Sequence, residues 1–271
     1  MSNLQLRVIS ALVLAAIVLS LTWFGGLPFR LLAAAIGALV FYEWTTVSGA
    51  TRDKPLVGAA WILGAIVLAA MIWGLSGRIL LLAAVCVSVA ILAYSLIRRE
   101  RGVTGKGVAY ALVPAISLAE LRGADLAGLW TIIFLFAVVW ATDIFAYFVG
   151  RALGGPKLAP SISPGKTWSG AIGGTAFAVL AAVAVALVHG GASPITLGLI
   201  ALPLSIVSQV GDLYESRFKR KYGAKDSSNL IPGHGGVMDR VDGLVAAAAA
   251  LYLAGLVIWG GSGISAALFP A

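Results

Sequence analysis

The chain has 271 residues, of which 60% are hydrophobic and only 11% are charged, and its formal net charge is +8. Soluble globular domains carry about a quarter charged residues, so the composition excludes an ordinary soluble domain and indicates a membrane protein. Excess Lys and Arg in a membrane protein is typical of cytoplasmic loops. The positive charge therefore does not predict nucleic-acid binding, and we expect no nucleic-acid partner.

Apolar runs long enough to cross a bilayer recur along the chain, because about 20 mostly apolar residues cross a hydrocarbon core of ~30 Å. We predict an all-α polytopic transmembrane helical bundle of about nine spans. The first apolar run is predicted to be a retained helix, since no small-residue cleavage site follows it. The predicted spans are residues 6–24, 29–47, 56–73, 78–97, 107–121, 126–149, 168–190, 194–216 and 243–262.

Basic residues divide unevenly between alternate sides of these spans. Sixteen of the nineteen Lys and Arg residues fall on the side of the N-terminus, and the other side has Arg30, Arg78 and Arg122. Because Lys and Arg favour the cytoplasmic side, the N-terminus is predicted to be cytoplasmic. The chain is predicted to divide into an N-terminal region of about four spans, residues 1–106, and a catalytic region, residues 107–271. The catalytic region is predicted to contain two cytoplasmic loops, residues 150–167 and 217–242.

Five of the eleven carboxylates fall inside or at the edge of predicted spans: Glu43, Glu120, Asp143, Asp212 and Glu215. Acids inside a membrane are costly, so each is a candidate functional residue. Glu120 fits an interfacial position, and Glu43, between aromatic residues, suits either an interface anchor or a site. Asp143 and Asp212 each follow a long apolar run and precede a basic segment, which favours a functional role for both.

The stretch SRFKRKYGAKDSSNLIPGHGGVMDRVDG, residues 216–243, holds six of the nineteen basic residues and three of the eleven acids of the chain. Asp212 and Glu215 lie three residues apart on one helix face, and Asp239 and Asp242 repeat this spacing where the ninth span begins. A helix-capping role explains the second pair equally well. Together the acids offer hard oxygen ligands for Mg²⁺. Phosphoryl transfer needs such ligands together with cations for phosphate oxygens, here Lys219, Arg220, Lys225 and Arg240.

The segment PGHGG, residues 232–236, places three glycines around His234. Glycines let backbone N–H groups approach a phosphate closely, but they also form plain turns. A lone histidine does not predict a metal site. Both interpretations of the segment stay open on sequence alone.

The segment SISPGKTWSG, residues 161–170, contains GKT but does not predict a P-loop. A P-loop would need glycine where Pro160 stands, and we expect the segment to join two membrane spans rather than a strand to a helix. Its polar residues are instead predicted to line an anion site at the start of the seventh helix: Ser163, Lys166 and Thr167. Gly170 and Gly174 are predicted to serve helix packing.

The stretch from Ser216 to Asp242 resembles the signature of the phosphatidate cytidylyltransferases, also called CDP-diacylglycerol synthases. TDIFAYFVGRALGG and SPGKTWSG also resemble cytoplasm-facing segments of that family, although Gly165 and Ser169 stand where the family more often has Lys and Glu. The matching signature positions are Ser216, Lys219, Arg220, Lys225, Asp226, Ser228, Ile231, Pro232, His234, Gly235, Gly236, Asp239, Arg240 and Asp242.

The resemblance implies that CTP and phosphatidate form CDP-diacylglycerol and pyrophosphate at the cytoplasmic face of a bacterial inner membrane. It implies Mg²⁺ at Asp212, Asp239 and Asp242, with a second, monovalent cation such as K⁺. Phosphates are expected to be neutralised by Lys219, Arg220, Lys225 and Arg240, while His234 hydrogen-bonds a phosphate or shuttles a proton. The expected substrate contacts are Asp143, Ser163, Lys166, Thr167, Ser216, Asp226, Gly235 and Gly236.

Two other functions use similar residues. A CTP-dependent lipid kinase would transfer the γ-phosphoryl group instead, and an ion or lipid transporter also carries acids inside the membrane. A transporter predicts acids at mid-bilayer and two matching halves, whereas the strongest acids here cluster at one face and no internal repeat is evident. The small-residue helix pattern is compatible with a homodimer and does not require one.

Overall fold

The computed structural model describes residues 3–98, 102–260 and 263–270. Arg99 and Arg101, which contribute to the predicted charge asymmetry, lie outside the described residues. The described chain is mainly helical, with one short 3₁₀ helix, Ala50–Arg52, and one pair of short strands. Its α-helices are α1 Asn3–Phe24, α2 Gly26–Ser48, α3 Lys54–Trp73, α4 Gly77–Ile97, α5 Val103–Arg122, α6 Leu126–Leu153, α7 Trp168–His189, α8 Pro194–Lys221, α9 Met238–Trp259 and α10 Ile264–Leu268.

Eight described helices, α1 to α4 and α6 to α9, are long and apolar enough to cross a membrane. This confirms the all-α polytopic membrane architecture. The fifth predicted span is helix α5, which is not among the eight; its core residues Leu112, Ile116 and Leu118 are at most 3% exposed. Polar residues inside a membrane face the protein interior, so a helix surrounded by protein can be less uniformly apolar than one that faces lipid. The nine-span count and the side of the N-terminus stay predictions.

Local capping chemistry sets several helix ends. The Asp53 carboxylate accepts a hydrogen bond from the Leu56 N–H at 3.2 Å at the start of α3, and Asp125 accepts one from Gly128 at 2.7 Å at the start of α6. Such caps satisfy N–H groups that the first helical turn leaves unpaired. Gly74 caps the end of α3, and its φ of 94° is a left-handed conformation that glycine adopts without strain.

The chain forms two compact units. Unit 1 consists of Met1–Glu120 and Lys221–Arg240, and unit 2 consists of Leu121–Arg220 and Val241–Ala271. The sequence predicts a boundary at residue 106 between N-terminal membrane helices and a catalytic region. That boundary separates functions and not compact units, so it stays a prediction. Each unit therefore combines two separate stretches of the chain.

In unit 1, α2 packs against α1 and α3, and α3 packs against α4. Trp44 at the end of α2 is 2% exposed, its indole N–H donates to the Val103 carbonyl at 3.0 Å, and its ring lies 5.0 Å from that of Tyr110. Gly37 lets α5 approach α2 closely, because a Cβ there would lie 2.9 Å from the Ala115 Cβ. The end of α2, which carries Glu43, is thereby fixed against α5.

In unit 2, α6 and α7 pack along each other, and α10 packs against α6. A Cβ at Gly170 would lie 2.6 Å from the Ala146 carbonyl oxygen, and one at Gly174 would lie 2.6 Å from that of Thr142. Real Cβ atoms do not come that close to backbone oxygens. The predicted packing role of Gly170 and Gly174 is confirmed.

A short antiparallel hairpin lies between α6 and α7, formed by β1 Lys157–Ala159 and β2 Ser163–Thr167. Strand β2 runs directly into α7, so the expectation that this segment does not join a strand to a helix was wrong. Strands of three and five residues are too short to show a hydrophobic period. A P-loop is still excluded, because Gly165 and Lys166 lie within the strand and not in a loop after it.

Candidate active site

Unit 2 contains a cavity of about 670 Å³ formed by α6, the hairpin, α7 and α8. Its polar walls combine both signs of charge. The charged and polar side chains that line it are Asp143, Tyr147, Arg151, Lys157, Ser163, Lys166, Thr167, Gln209 and Asp212. A cavity of this size suits a small-molecule ligand.

Lys166 and Asp212 form an ion pair in this cavity. The Lys166 ammonium donates to Asp212 Oδ2, and the Ser216 hydroxyl donates to Asp212 Oδ1 at 3.3 Å. The side chains of Lys166 and Asp212 are 29% and 27% exposed, so both remain accessible. The structure thus brings together three predicted site residues from β2 and α8.

Two further carboxylates, Asp143 and Asp242, lie close enough to Asp212 to be repelled by it and close enough to Lys166 to be attracted. Helices α8 and α9 approach closely here, because a Cβ at Gly211 would lie 2.9 Å from the Asp242 carbonyl oxygen. Asp143, Asp212 and Asp242 are therefore grouped around Lys166, while two further cations, Arg151 and Lys157, line the same cavity.

The chemistry of this cluster fits a hard cation, since carboxylate oxygens are the ligands that Mg²⁺ prefers. The described residues do not, however, contain a ready-made arrangement of three Asp, Glu, His or Cys ligands. Lys166 holds one oxygen of Asp212, so a cation that binds there requires the lysine to release it. The predicted ligand set of Asp212, Asp239 and Asp242 stays a prediction.

Thr167 and Ser169 build the start of α7 beside the cavity. The Thr167 hydroxyl accepts a hydrogen bond from the Gly170 N–H at 3.1 Å, which caps the helix, and Ser169 donates to the Gly154 carbonyl. Gly150 on α6 makes room for this cap, because a Cβ there would lie 2.8 Å from Thr167 Oγ1. The cap holds Lys166, the preceding residue, at the cavity wall.

The predicted catalytic residue Lys219 does not line the cavity. It is 9% exposed, and its ammonium lies 2.8 Å from Oε2 of Glu215, one helical turn earlier and only 1% exposed. Glu215, the second acid of the pair Asp212 and Glu215 on α8, therefore has its cationic partner within the same helix. The side chains of Arg220, Lys225 and Arg240 are exposed.

Unit 1 contains a second set of predicted site residues, organised around Glu43 of α2. Glu43 is 0% exposed, and both of its oxygens accept hydrogen bonds. Oε1 accepts from the Ser228 hydroxyl at 2.6 Å and the Val237 N–H at 2.8 Å. Oε2 accepts from the Ser227 hydroxyl at 2.9 Å and the Met238 N–H at 2.6 Å. Glu43 therefore caps helix α9 from another helix.

Asp239 reaches back from the first turn of α9 into the same loop. Its Oδ2 accepts from the Ser227 N–H at 2.9 Å and the Gly236 N–H at 2.8 Å, and it lies 2.9 Å from the Ser227 hydroxyl, whose single proton it shares with Glu43 Oε2. A Cβ at Gly235 would lie 2.7 Å from Asp239 Oδ2, and one at Gly236 would meet Ser227 and Glu43. These glycines are needed for the loop to close around the two carboxylates, and Asp239 thereby ties the loop to the first turn of α9.

The PGHGG segment forms a turn in unit 1. The His234 N–H donates to the Ile231 carbonyl at 2.9 Å, with Pro232 and Gly233 at the two central positions and φ of 76° at Gly233. Pro followed by glycine with positive φ is typical of a type II turn. The Ser10 hydroxyl of α1 lies 2.9 Å from His234 Nδ1, so the histidine side chain has a partner within the protein.

The structure thus sorts the predicted site residues by unit. Unit 2 holds Asp143, Ser163, Lys166, Thr167, Asp212, Ser216, Lys219, Arg220 and Asp242, and unit 1 holds Lys225, Asp226, His234, Gly235, Gly236, Asp239 and Arg240. The sequence interpretation missed four polar cavity residues: Tyr147, Arg151, Lys157 and Gln209. Gln209 lies three residues before Asp212 on the same helix face, so its spacing was a usable signal.

Comparison with known proteins identifies relatives over nearly the whole chain. A model of the cytidylyltransferase family matches residues 5–258. The phosphatidate cytidylyltransferase of Brucella abortus is 54% identical over 260 residues, which cover 95% of this chain and 95% of that protein. Proteins with the same name are 39% identical in Pseudomonas aeruginosa, over 95% of this chain and 99% of that protein, and 34% identical in Bacillus subtilis, over 89% and 94%.

Proposed function

Because the chain belongs to the cytidylyltransferase family, we propose that it is an integral-membrane nucleotidyltransferase that makes CDP-diacylglycerol and pyrophosphate from CTP and phosphatidate. The name shared by relatives that align over nearly the whole chain supports these substrates. The observation that carries the proposal within the structure is the cavity of unit 2, where Lys166 pairs with Asp212 beside Asp143.

In the proposed reaction, a phosphate oxygen of phosphatidate attacks the α-phosphorus of CTP. A new P–O bond forms there, the bond to the β-phosphate oxygen breaks, and pyrophosphate leaves with the electron pair of that bond. A phosphate monoester has a second pKa near 6, so the attacking group is largely ionised at neutral pH and needs no strong general base. The protein must instead reduce the repulsion between two polyanions.

The cavity supplies cations for this purpose. Lys166 in β2, Lys157 in β1 and Arg151 in α6 all line it. Fixed cations that face a developing negative charge in a partly dry site stabilise it more than they would in water. We propose that these three side chains bind phosphate oxygens and orient them, and that Lys166 does so after it leaves Asp212.

The acids of unit 2 would hold Mg²⁺ when it binds, with Asp212 and Asp242 as ligands. The ion supplies neutralisation of the CTP phosphates and of the leaving pyrophosphate. Asp239 as a further ligand, and a second monovalent cation such as K⁺, are implied by the family resemblance and stay proposals. The remaining signature cations, Arg220, Lys225 and Arg240, are exposed and suit contact with anionic substrates.

The protein is embedded in the bilayer by its long apolar helices, and phosphatidate is a lipid of that bilayer. We further propose that the membrane is the bacterial inner membrane and that the site faces the cytoplasm, where CTP is found. The asymmetry of Lys and Arg supports this orientation. A homodimer is compatible with the small-residue helix faces and is testable by crosslinking in the membrane.

The test of the function is an assay of purified protein with phosphatidate and CTP labelled separately in the α- and γ-phosphates. Label that enters the lipid from the α-phosphate, with release of pyrophosphate, supports cytidylyl transfer. Label that enters only from the γ-phosphate would identify a lipid kinase instead. No label in the lipid from either position, with Mg²⁺ present, would contradict both enzymes.

A further inference from the structure

Glu43 lies far along the sequence from the signature segment, yet its carboxylate contacts that segment at four points. We propose that Glu43 is a positioning residue, which holds residues 227–238 and the first turn of α9 in the arrangement in which Asp239 acts. This inference rests on the proposed function for the role of Asp239, whereas the positioning itself rests only on the contacts within unit 1.

Four hydrogen-bond partners surround the Glu43 carboxylate, which has about four lone-pair positions. They are two hydroxyl groups and two backbone N–H groups at 2.6 to 2.9 Å, and the Ser227 hydroxyl shares its single proton with Asp239. Hydrogen bonds to an ionised acceptor are roughly twice as strong as neutral ones. An interface anchor would be exposed, as its neighbour Tyr42 is at 45%, whereas Glu43 is 0% exposed.

The two backbone contacts fix the start of α9. The Val237 and Met238 N–H groups belong to the turn where α9 begins, and the helix itself offers them no acceptor. An acceptor on α2 means that the position of this helix start depends on α2. Asp239 is one residue further along α9, so a displacement of the helix start moves its carboxylate.

A second connection runs through Ser227. Its hydroxyl lies 2.9 Å from Oε2 of Glu43 and 2.9 Å from Oδ2 of Asp239, so a single hydroxyl group links the two carboxylates. Gly236 leaves no space for a side chain beside this link, because a Cβ there would meet Ser227 and Glu43. The orientation of the Asp239 carboxylate is therefore coupled to Glu43 through both the backbone and Ser227. Groups that orient metal-binding carboxylates act in this way in other metal sites.

Glu43→Gln tests the proposal with almost no change in side-chain size. Whichever way the amide is oriented, its NH₂ group faces one of the two backbone N–H donors, at Val237 or at Met238, and leaves it without an acceptor. Ser228→Ala is a milder second variant, which removes one donor and keeps the carboxylate. Asp53→Asn is the matched control, because Asp53 also caps a helix of unit 1 but contacts Leu56 in α3.

The first measurement is hydrogen–deuterium exchange of the peptide 222–238 in detergent-solubilised protein, which requires no activity. We expect about tenfold faster exchange in Glu43→Gln, from loss of a hydrogen bond to a charged group. We expect a smaller increase in Ser228→Ala and wild-type exchange in Asp53→Asn. Unchanged exchange in a folded Glu43→Gln protein would overturn the proposal. If that variant does not fold, exchange of the same peptide in Ser228→Ala decides instead, and unchanged exchange there would overturn the proposal.

The second measurement is cytidylyl transfer as a function of free Mg²⁺. Loss of positioning should lower kcat and raise the Mg²⁺ concentration for half-maximal rate, each by about tenfold or more, as loss of an outer-shell partner does. A purely structural role would reduce the rate in proportion to the folded fraction and leave the Mg²⁺ midpoint unchanged, which would contradict the proposal. Inactive wild-type protein would refute the proposed function, and the exchange measurement would then still decide whether Glu43 positions the loop.

Discussion

Lys166→Met separates two roles that the structure gives to one side chain. Lys166 holds Asp212 Oδ2, where a cation would otherwise bind, and it also lines the cavity where substrate phosphates are expected. Removal of the ammonium frees Asp212 for a metal ion but also removes a cation from the phosphate site. We therefore expect both the Mg²⁺ concentration for half-maximal rate and kcat to fall.

The magnitudes follow from the exposure of the pair. With 29% and 27% of the two side chains accessible, solvent screens their attraction, so the pair is worth about 1 kcal/mol, the upper end of the range for exposed pairs. At 1.4 kcal/mol per factor of ten, the Mg²⁺ midpoint should fall about fivefold. Loss of one fixed group that stabilises transition-state charge costs about 10²–10³ in kcat.

The assay measures transfer of α-labelled CTP to phosphatidate at fixed CTP while free Mg²⁺ varies. Lys54→Met is the control, because Lys54 is an exposed lysine at the start of α3 in unit 1; it should behave as wild type. An unchanged or higher Mg²⁺ midpoint in Lys166→Met would show that the pair does not compete with the ion. An unchanged kcat would show that Lys166 does not act on the phosphates.

Two other substitutions test the acid at the start of α9 and the packing of unit 2. Asp239→Asn should abolish turnover but leave folding and membrane insertion intact, because its remaining carbonyl oxygen can still accept from the Gly236 N–H; near-normal activity across an Mg²⁺ titration would remove Asp239 from the metal-binding residues. Gly174→Val should destabilise the protein by about 1–3 kcal/mol or more and lower the melting temperature, since its Cβ would lie 2.6 Å from the Thr142 carbonyl oxygen. Gly165→Ala has nothing within 4 Å of the new Cβ, so it should melt like wild type, and equal melting of both variants would refute the packing argument.

The eight long apolar helices were predictable from the sequence because each is a long apolar run that must satisfy its own backbone hydrogen bonds in lipid. The prediction was weakest where that rule does not apply. Helix α5 contains Pro114 and is largely buried by protein, and the hairpin of β1 and β2 is too short to show a period. The strand that leads into α7 was accordingly missed.

For the candidate site, the sequence predicted which residue types take part but not which partners they contact. Charge type and spacing were sufficient to single out Asp143, Lys166 and Asp212, which the structure brings to one cavity. They also suggested a phosphate-handling role for Lys219, whose ammonium pairs instead with Glu215 within α8. A sequence gives the number and kind of charges, but the partner of each charge depends on which side chains the fold brings within a few ångströms.

The sequence by itself determined the membrane environment, the helical class and the family, because apolar run length and a signature of specified residues are properties of the chain alone. Only the tertiary structure decided what the individual acids contact. Glu43 had equal claims as an interface anchor and as a site residue, and its partners lie 184 to 195 residues away in sequence. Hydrogen bonds across that separation depend on how α2 packs within unit 1, and no local pattern in the sequence records it.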